Sequence, residues 1–336
     1  MGTDMTDDRV VTKTFLAELL TVPATDLDAL AVTRIAPDAV FDLSDPIGTL
    51  TGPGDIIAGF IAPLRKALTH VHRRDLMFIG GQNIRDEGGM WMASVSHVAG
   101  LFKAPLFGVA PNGKMVFLRF GEFYRVENGR ITKARIIIDL LHLLHEIGRY
   151  PLAQAHYGTP ITFPAPRTLD GVCPGDRAVG ARSLDIVQRM LGALHVYDPA
   201  TFGSDNQTGN NGLWAPGFMW YGPGGIGSTT GWDGFVDHHR ASFLGAFPDR
   251  KGGNHYCRIG DGAYAAVSGW PSMTMTHRDT YLGVPATNRA LTLRVMDFYR
   301  CTATHIAENW VLLDYVNLLS QMGVDVIAEA AAMDMG

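Results

Sequence analysis

The sequence of 336 residues is poor in cysteine and in charge, with three Cys and 18% charged residues. Three widely spaced cysteines are too few for a disulfide framework or a zinc cluster. The net charge of -5 disfavours a nucleic-acid partner. No apolar run approaches the roughly 20 residues that cross a bilayer, and the acidic first residues lack the apolar core of a secretory signal. These absences predict a cytoplasmic protein with no membrane partner.

Several motifs of cofactor and nucleophile chemistry are also missing. The sequence has no G-x-S-x-G elbow and no Walker A loop. Residues 222–227 fit G-x-G-x-x-G, but no parallel βαβ pattern follows, so a dinucleotide site is not expected. His70 and His72, and His142 and His145, have the spacing of metal ligands, but no third ligand can be named. We therefore expect no metal and no cofactor.

An internal repeat is present instead. A shift of 175 positions aligns residues 108–148 with 283–323 at twelve identical positions, where chance would give about two or three. The aligned pairs include Phe123 with Phe298 and Asp139 with Asp314. The repeat predicts two homologous domains near 10–150 and 181–330, joined by a proline-rich linker over 151–180.

Each copy has the same order of predicted elements. A helical pattern is followed by a short strand, a second helix over 55–68 or 234–247, and then long alternating strands. The strands are expected over 74–79, 90–98, 115–126 and 131–138, and over 254–259, 263–269, 272–281, 290–301 and 305–313. This order predicts an α+β class with helices packed on one face of a curved antiparallel sheet.

The second copy carries sequence motifs of a known family. These are Ala-Phe-Pro-Asp at 246–249, Thr-His-Arg-Asp-Thr-Tyr-Leu-Gly at 276–283 with Val-Pro-Ala-Thr-Asn-Arg after it, and Asp-Phe-Tyr-Arg at 297–300. The chain resembles the SnoaL-like polyketide cyclases of the nuclear transport factor 2-like superfamily. The resemblance implies two tandem cone-shaped α+β barrels. It also implies a cofactor-independent cyclase, isomerase, dehydratase or hydrolase that uses acid–base chemistry on an apolar, carbonyl-bearing small molecule.

One departure from the family pattern favours a different function. Catalytic members carry an essential carboxylate three residues before the position of Asp314, but this chain has Val311 there and Ile136 in the first copy. Neither side chain can take a proton. The alternative is therefore a non-catalytic binding or scaffolding double domain for a hydrophobic ligand.

Two carboxylates remain as candidate bases. Asp297 and Glu122 occupy equivalent strand positions, and a carboxylate desolvated in an apolar cone would have a raised pKa and could abstract a proton next to a carbonyl. The alternative is an ion pair with Arg300 or Arg125, or with a neighbour in the sheet.

A histidine is the next candidate. His277 shares its strand parity with Met273 and Met275, so the three side chains should face one way, and His97 is its nearest counterpart. If that face lines the cone, His277 is a proton shuttle or hydrogen-bond donor. Otherwise it is a buried histidine bonded to a backbone carbonyl.

Asp139 and Asp314 recur at the start of the last helix of each copy. We favour an N-cap for both, and a pocket role stays open because strand ends ring the mouth of such a cone. Candidate ligand-binding residues are aromatic or soft side chains that would suit a flat ligand, although most aromatics are expected in the core: Trp220, Tyr221, Trp270, Tyr281 and Met275.

The expected partners are a small-molecule ligand and the protein's own second domain. Single-domain relatives commonly pair sheet to sheet, so a tandem chain could form that pair internally as a pseudo-dimer. A further homodimer stays open. We expect the site in the second domain, because this copy keeps more of the family pattern.

Overall fold

The computed structural model describes residues 5–153, 157–160, 165–194, 196–204, 207–208 and 212–333. The first half forms six strands and five α-helices: α1 (Met5–Thr21), α2 (Leu27–Arg34), β1 (Ile35–Leu43), β2 (Gly48–Thr51), α3 (Gly52–Ile56), α4 (Ala62–Ala67), β3 (Leu68–Gln82), β4 (Met90–Phe102), β5 (Met115–Glu127), β6 (Arg130–Ile138) and α5 (Leu140–Glu146). A π-helical turn, Ile57–Ile61, joins α3 to α4.

The second half repeats this layout with a C-terminal addition. Its elements are α6 (Arg177–Ala193), β7 (Trp214–Tyr221), β8 (Ser228–Thr230), α7 (Gly231–Phe235), α8 (Ala241–Ala246), β9 (Cys257–Asp261), β10 (Tyr264–Thr276), β11 (Ala290–Cys301), β12 (Ile306–Leu313), α9 (Tyr315–Met322) and α10 (Val326–Ala332). A π-helical turn, Val236–Arg240, joins α7 to α8. Among the helices described, none is long and apolar enough to cross a membrane.

The two sheets have the same strand order, β2-β1-β6-β5-β4-β3 and β8-β7-β12-β11-β10-β9. The β1–β6 and β7–β12 pairs are parallel, and the other pairs are antiparallel. The predicted pair of α+β domains is therefore confirmed. Each sheet also contains one parallel pair, because its first long strand lies next to its last strand. The domain bounds 10–150 and 181–330, with a linker between them, stay a prediction.

Several predicted strand boundaries differ from the structure, and the expected strand 74–79 is part of the longer strand β3. The expected strands 263–269 and 272–281 form the single strand β10, with an irregularity between Gly269 and Met273. Pro271 lies in this interval and has no N–H to donate to the ladder, which explains the local break. Because β10 ends at Thr276, His277 lies just beyond the strand.

The two sheets contact each other through a shared apolar cluster. Residues of both domains fill it: Leu76, Met77, Ile79, Trp91, Ala93, Val95, Phe123, Ile137, Tyr221, Cys257, Ile259, Tyr264, Ala266, Met296, Phe298, Trp310 and Leu312. The rings of Phe123 and Phe298 lie 5.5 Å apart. These two residues are equivalent in the repeat, so the sheets meet through corresponding positions of the two domains.

Reciprocal hydrogen bonds join the domains at the end of each sheet. Asp139 of the first domain accepts a hydrogen bond from the backbone N–H of Gly224 at 3.0 Å. Asp314, its equivalent in the second domain, accepts one from the N–H of Asp45 at 3.4 Å. Each aspartate therefore holds the turn of the other domain that follows its first strand.

Candidate functional site

A cavity of about 110 Å³ lies in the second domain, between the sheet and the helices α6, α7 and α8. Most of its wall is apolar and is formed by Met190, Leu191, Leu194, Trp214, Trp220, Phe235, Phe243, Leu244, Met273, Leu293, Val295, Val311 and Leu313. Its polar lining comprises His239, Arg240, Arg250, His255, Ser272, Asp297, Tyr299 and Asn309. An apolar cleft with a few convergent polar groups is the usual form of a small-molecule site.

Asp297 lies in the middle of β11, directly opposite Val311 of β12. Burial raises the pKa of its carboxyl to about 7, and hydrogen bonds from Asn309 and Tyr299 oppose the shift only in part. Its sequence neighbour Arg300 instead forms an ion pair with Glu308. Asp297 is therefore a carboxyl in an apolar cavity that changes its charge near neutral pH.

Sequence reasoning did not nominate His239, which also lines the cavity. Its ring stacks on Trp220 with centroids 4.4 Å apart and lies between Phe235 and Phe243, at 5.3 and 5.5 Å. Burial lowers the pKa of His239 to about 3, and the charges of Arg240 and Arg250 add to this effect. The imidazole is neutral at physiological pH. The spacing of these two phenylalanines, four residues on either side, was the signal that could have placed His239 on the apolar face.

Two further polar groups of the lining have contrasting surroundings. His255 accepts a hydrogen bond at Nδ1 from Nε of Arg258 at 3.1 Å. Ser272 is 1% exposed, and its hydroxyl has no hydrogen-bond partner among the described residues. Ser272 is therefore a buried hydroxyl beside the cavity whose hydrogen-bonding capacity is unused within the described chain.

The predicted histidine lies elsewhere. His277 is fully buried and is not part of the cavity lining. Its Nδ1 lies 3.1 Å from the hydroxyl of Thr287, and its ring packs on Phe247 at 5.6 Å. Burial lowers its pKa. The structure therefore does not bring Asp297 and His277 into one cavity.

Of the predicted ligand-binding residues, Trp220 lines the cavity. Tyr221 faces the other side of β7, as strand alternation requires, and stacks on Trp310 at 5.0 Å in the interface between the sheets. Met275 is core, at 4% exposure. Tyr281 shares a 2.6 Å hydrogen bond with Tyr315.

The remaining aromatic candidate, Trp270, lies under a guanidinium group. The Cζ atom of Arg294 is 4.7 Å from the centroid of its ring. Trp270 is not part of the cavity lining. It therefore lies near the contact between the domains, where Arg294 also bonds to Asp45.

Glu122, the equivalent of Asp297, has a different environment. Arg73 donates to both of its carboxylate oxygens, at 2.8 and 2.5 Å. Ser96 and Tyr124 donate to the same carboxylate, at 3.0 and 2.6 Å, and Glu122 is 2% exposed. A buried carboxylate that accepts four hydrogen bonds from three residues, one of them an arginine, is a structural ion pair.

The other candidates of the first domain and the two recurring aspartates are buried. Burial lowers the pKa of His97 to about 3, with the charge of Arg119 adding to the shift. Asp139 caps α5, where it accepts from the N–H of His142 at 3.1 Å. Asp314 caps α9 in the same way.

Asp314 also forms an ion pair with Arg294 at 2.8 Å. Burial raises the pKa of Asp314 to about 6, although the positive charge of Arg294 opposes the shift. Both N-caps match the favoured sequence interpretation, and neither aspartate lines the cavity. Over the described parts of the chain, no three His, Cys, Asp or Glu residues gather as a metal site would require.

Comparison with known proteins identifies a family. The sequence model of the SnoaL-like polyketide cyclases matches residues 82–147 and 205–322, together more than half of the chain. No protein of curated function matches the sequence.

Similar solved structures are shorter proteins. One, assigned as a SnoaL-like polyketide cyclase from Jannaschia sp. CCS1, is 18% identical, with 44% of this chain and 96% of that chain covered and a TM-score of 0.35. AclR from Streptomyces galilaeus, described as a hydroxylase, is 18% identical over 44% and 99% of the two chains, with a TM-score of 0.35. TsrD from Streptomyces laurentii is 12% identical over 42% and 96%, with a TM-score of 0.34. On the family match, the chain belongs to the SnoaL-like polyketide cyclase family, with two domains of that family in tandem.

Proposed function

We propose that the second domain is a cofactor-independent acid–base enzyme that acts on an apolar, carbonyl-bearing small molecule, with Asp297 as its base. The observation that carries the proposal is a carboxyl with a pKa of about 7 in the wall of an apolar cavity. A base with a pKa near the working pH is present as carboxylate and still binds a proton firmly.

The presence of Val311 where catalytic family members have a carboxylate does not exclude acid–base chemistry in the second domain. Val311 and Asp297 are cross-strand partners, so their side chains point to the same face, with Cβ atoms about 5 Å apart. Both line the cavity. A carboxylate on β11 therefore reaches the part of the cone that a carboxylate at 311 would reach.

The surrounding groups suit proton transfer next to a carbonyl. Ionised Asp297 would take the proton from the α-carbon, and the electron pair of the broken C–H bond would move toward the carbonyl oxygen. The hydroxyl of Ser272 and the neutral imidazole of His239 are two groups of the wall that could donate a hydrogen bond to that oxygen. Protonated Asp297 would then return the proton to another atom of the substrate, which is an isomerisation, or to a leaving hydroxyl, which is a dehydration.

The size of the cavity limits what it can enclose. An engineered protein cavity of about 150 Å³ holds one benzene molecule, and this cavity measures about 110 Å³. The enclosed part of a substrate is therefore about the size of a single small ring.

The scaffolding part of the alternative, a non-catalytic binding or scaffolding double domain, fits the first domain. Its carboxylate Glu122 is held by Arg73, Ser96 and Tyr124, so its oxygens are already occupied by hydrogen bonds within the protein. We infer that this domain supports the second one as half of an internal pseudo-dimer. The contact of Phe123 with its equivalent Phe298 supports that arrangement.

The test uses cyclohexanone, a small apolar ketone, as a probe. The full chain is incubated with it in D₂O near neutral pD, and exchange of the α-protons is followed by ¹H NMR. We expect the unmodified protein to accelerate the exchange and Asp297→Asn to return it to the rate in buffer. Asp185→Asn, which removes a carboxylate on the exposed side of α6, is the matched control and should keep the full rate. Equal rates for the unmodified protein and Asp297→Asn contradict the proposal.

A further inference from the structure

Two arginines in the cavity wall lack an acidic partner. Among the described residues, no Asp or Glu forms an ion pair with the buried Arg240 or the half-buried Arg250, although the buried Arg9, Arg119 and Arg135 each pair with a carboxylate. A buried charge is normally compensated by an opposite charge. The second domain thus keeps two positive groups at one cavity without a carboxylate in the described chain to neutralise them.

Neutral groups hold these guanidinium groups in place. Arg240 donates to the carbonyl of Phe202 and, at 2.6 Å, to the hydroxyl of Ser204. Arg250 donates to the carbonyl of Leu194 at 3.1 Å. Such bonds orient a guanidinium and leave its charge available. Burial and the charge of Arg250 lower the pKa of Arg240 to about 10, which still leaves it protonated at neutral pH.

Hydrogen-bonding atoms without partners point independently to a ligand. Three buried atoms of the cavity residues have no partner in the described chain: Nε of Arg250, Nδ1 of His239 and Oγ of Ser272. Buried polar atoms are rarely left unbonded. A ligand with acceptor oxygens would supply the kind of partner that these atoms lack.

The positive groups and the carboxyl act at different places along the wall. The pKa of Asp297 is set by burial, Asn309 and Tyr299, and no arginine contributes to it. His239, in contrast, is affected by both Arg240 and Arg250. The two arginines therefore act on the part of the wall at His239, while burial is the main cause of the pKa shift at Asp297.

We propose that this cavity takes a carboxylate-bearing apolar small molecule, with the ligand's carboxylate at Arg250 and Arg240 and its apolar ring toward Asp297. The proposal extends the function proposed above by naming the substrate class. The flat fork of a guanidinium matches the two oxygens of a carboxylate, and a cavity of about 110 Å³ would enclose only part of such a ligand.

The test compares benzoate with benzamide, which has nearly the same shape and no charge. Binding of both to the full chain is measured by isothermal titration calorimetry at pH 7. We expect benzoate to bind about tenfold more tightly or better, since a hydrogen bond to a charged group is worth about 1.5–3 kcal/mol. Arg250→Gln should abolish this preference. Arg189→Gln, an arginine on the exposed side of α6, should preserve it.

Two more variants keep the test decisive. Arg250→Lys retains the positive charge and should keep part of the preference, so loss in Arg250→Gln alone is not a folding defect. Asp297→Asn should keep the preference for benzoate even though it stops α-proton exchange, so the anion site and the proposed catalysis can fail separately. Benzoate binding no tighter than benzamide, or a preference unchanged in Arg250→Gln, overturns the proposal.

Discussion

Ionisation of Asp297 is expected to destabilise the folded protein as the pH rises. Burial raises the pKa of this carboxyl from its ordinary value of 3.8 to about 7. The folded state therefore holds a proton that the unfolded chain has already released between about pH 4 and pH 7. Because the folded state binds more protons over this range, stability falls as pH rises through it and levels off above pH 7.

The size of the effect follows from the shift in pKa. About three pKa units correspond to roughly 4 kcal/mol between the acidic and basic limits. Between pH 5 and pH 8 the same linkage gives a loss of about 3 kcal/mol. Asp297→Asn has no charge to lose, so this contribution is absent from the variant.

Urea unfolding at 25 °C and at pH 5, 6, 7 and 8 measures the difference. The free energy of unfolding of the unmodified protein, minus that of Asp297→Asn, should fall by about 3 kcal/mol from pH 5 to pH 8. Asp314, whose pKa burial also raises, to about 6, is present in both proteins, so its contribution cancels. A difference that stays constant within about 1 kcal/mol would show that Asp297 is not desolvated, and the argument for a base near neutral pH would fail.

Two further predictions concern the first domain and the contact between the sheets. Glu122→Gln should lower the free energy of urea unfolding by about 2 kcal/mol, because it weakens the charged hydrogen bonds that Glu122 makes with Arg73, while Asp75 still pairs with Arg73. Glu127→Gln, in an exposed pair with 44% of its side chain accessible, should cost under about 1 kcal/mol, and equal losses would refute the structural role of Glu122. Phe123→Ala and Phe298→Ala should each cost about 3–5 kcal/mol, with a coupling of about 0.5–1.5 kcal/mol in a double-mutant cycle, and strictly additive losses would contradict direct ring contact.

The fold could largely be predicted from the sequence. The repeat indicated two homologous domains, and the strand periodicity indicated the long strands of each sheet, because both signals are local and both recur. The parallel β1–β6 and β7–β12 pairs were not predicted, since a strand pattern does not carry the direction of its partner. The joining of two predicted strands into β10 was missed because Pro271 resembled a boundary.

The candidate site was predicted only in part. Strand alternation required Trp220 and Tyr221 to face opposite sides, but packing decided that Trp220 lines the cavity and Tyr221 lies between the sheets. Strand alternation predicted that His277 and Met273 face the same side of one strand. However, β10 ends before His277, and of these two residues only Met273 lines the cavity. His239 was overlooked because its role depends on the ring of Trp220 from another element.

Glu122 and Asp297 show the difference between what the sequence determines and what the tertiary structure determines. By itself, the sequence determined two copies of one fold, with a carboxylate at the same position of the same strand. Only the tertiary structure decided that the two carboxylates differ. In the first domain the long strand β3 places Arg73 within hydrogen-bond distance of Glu122. In the second domain the corresponding strand β9 begins only at Cys257. The loop before it, with Gly252 and Gly253, forms part of the cavity wall instead. The charge state of a carboxyl depends on what lies across the sheet from it, and those neighbours come from distant parts of the chain.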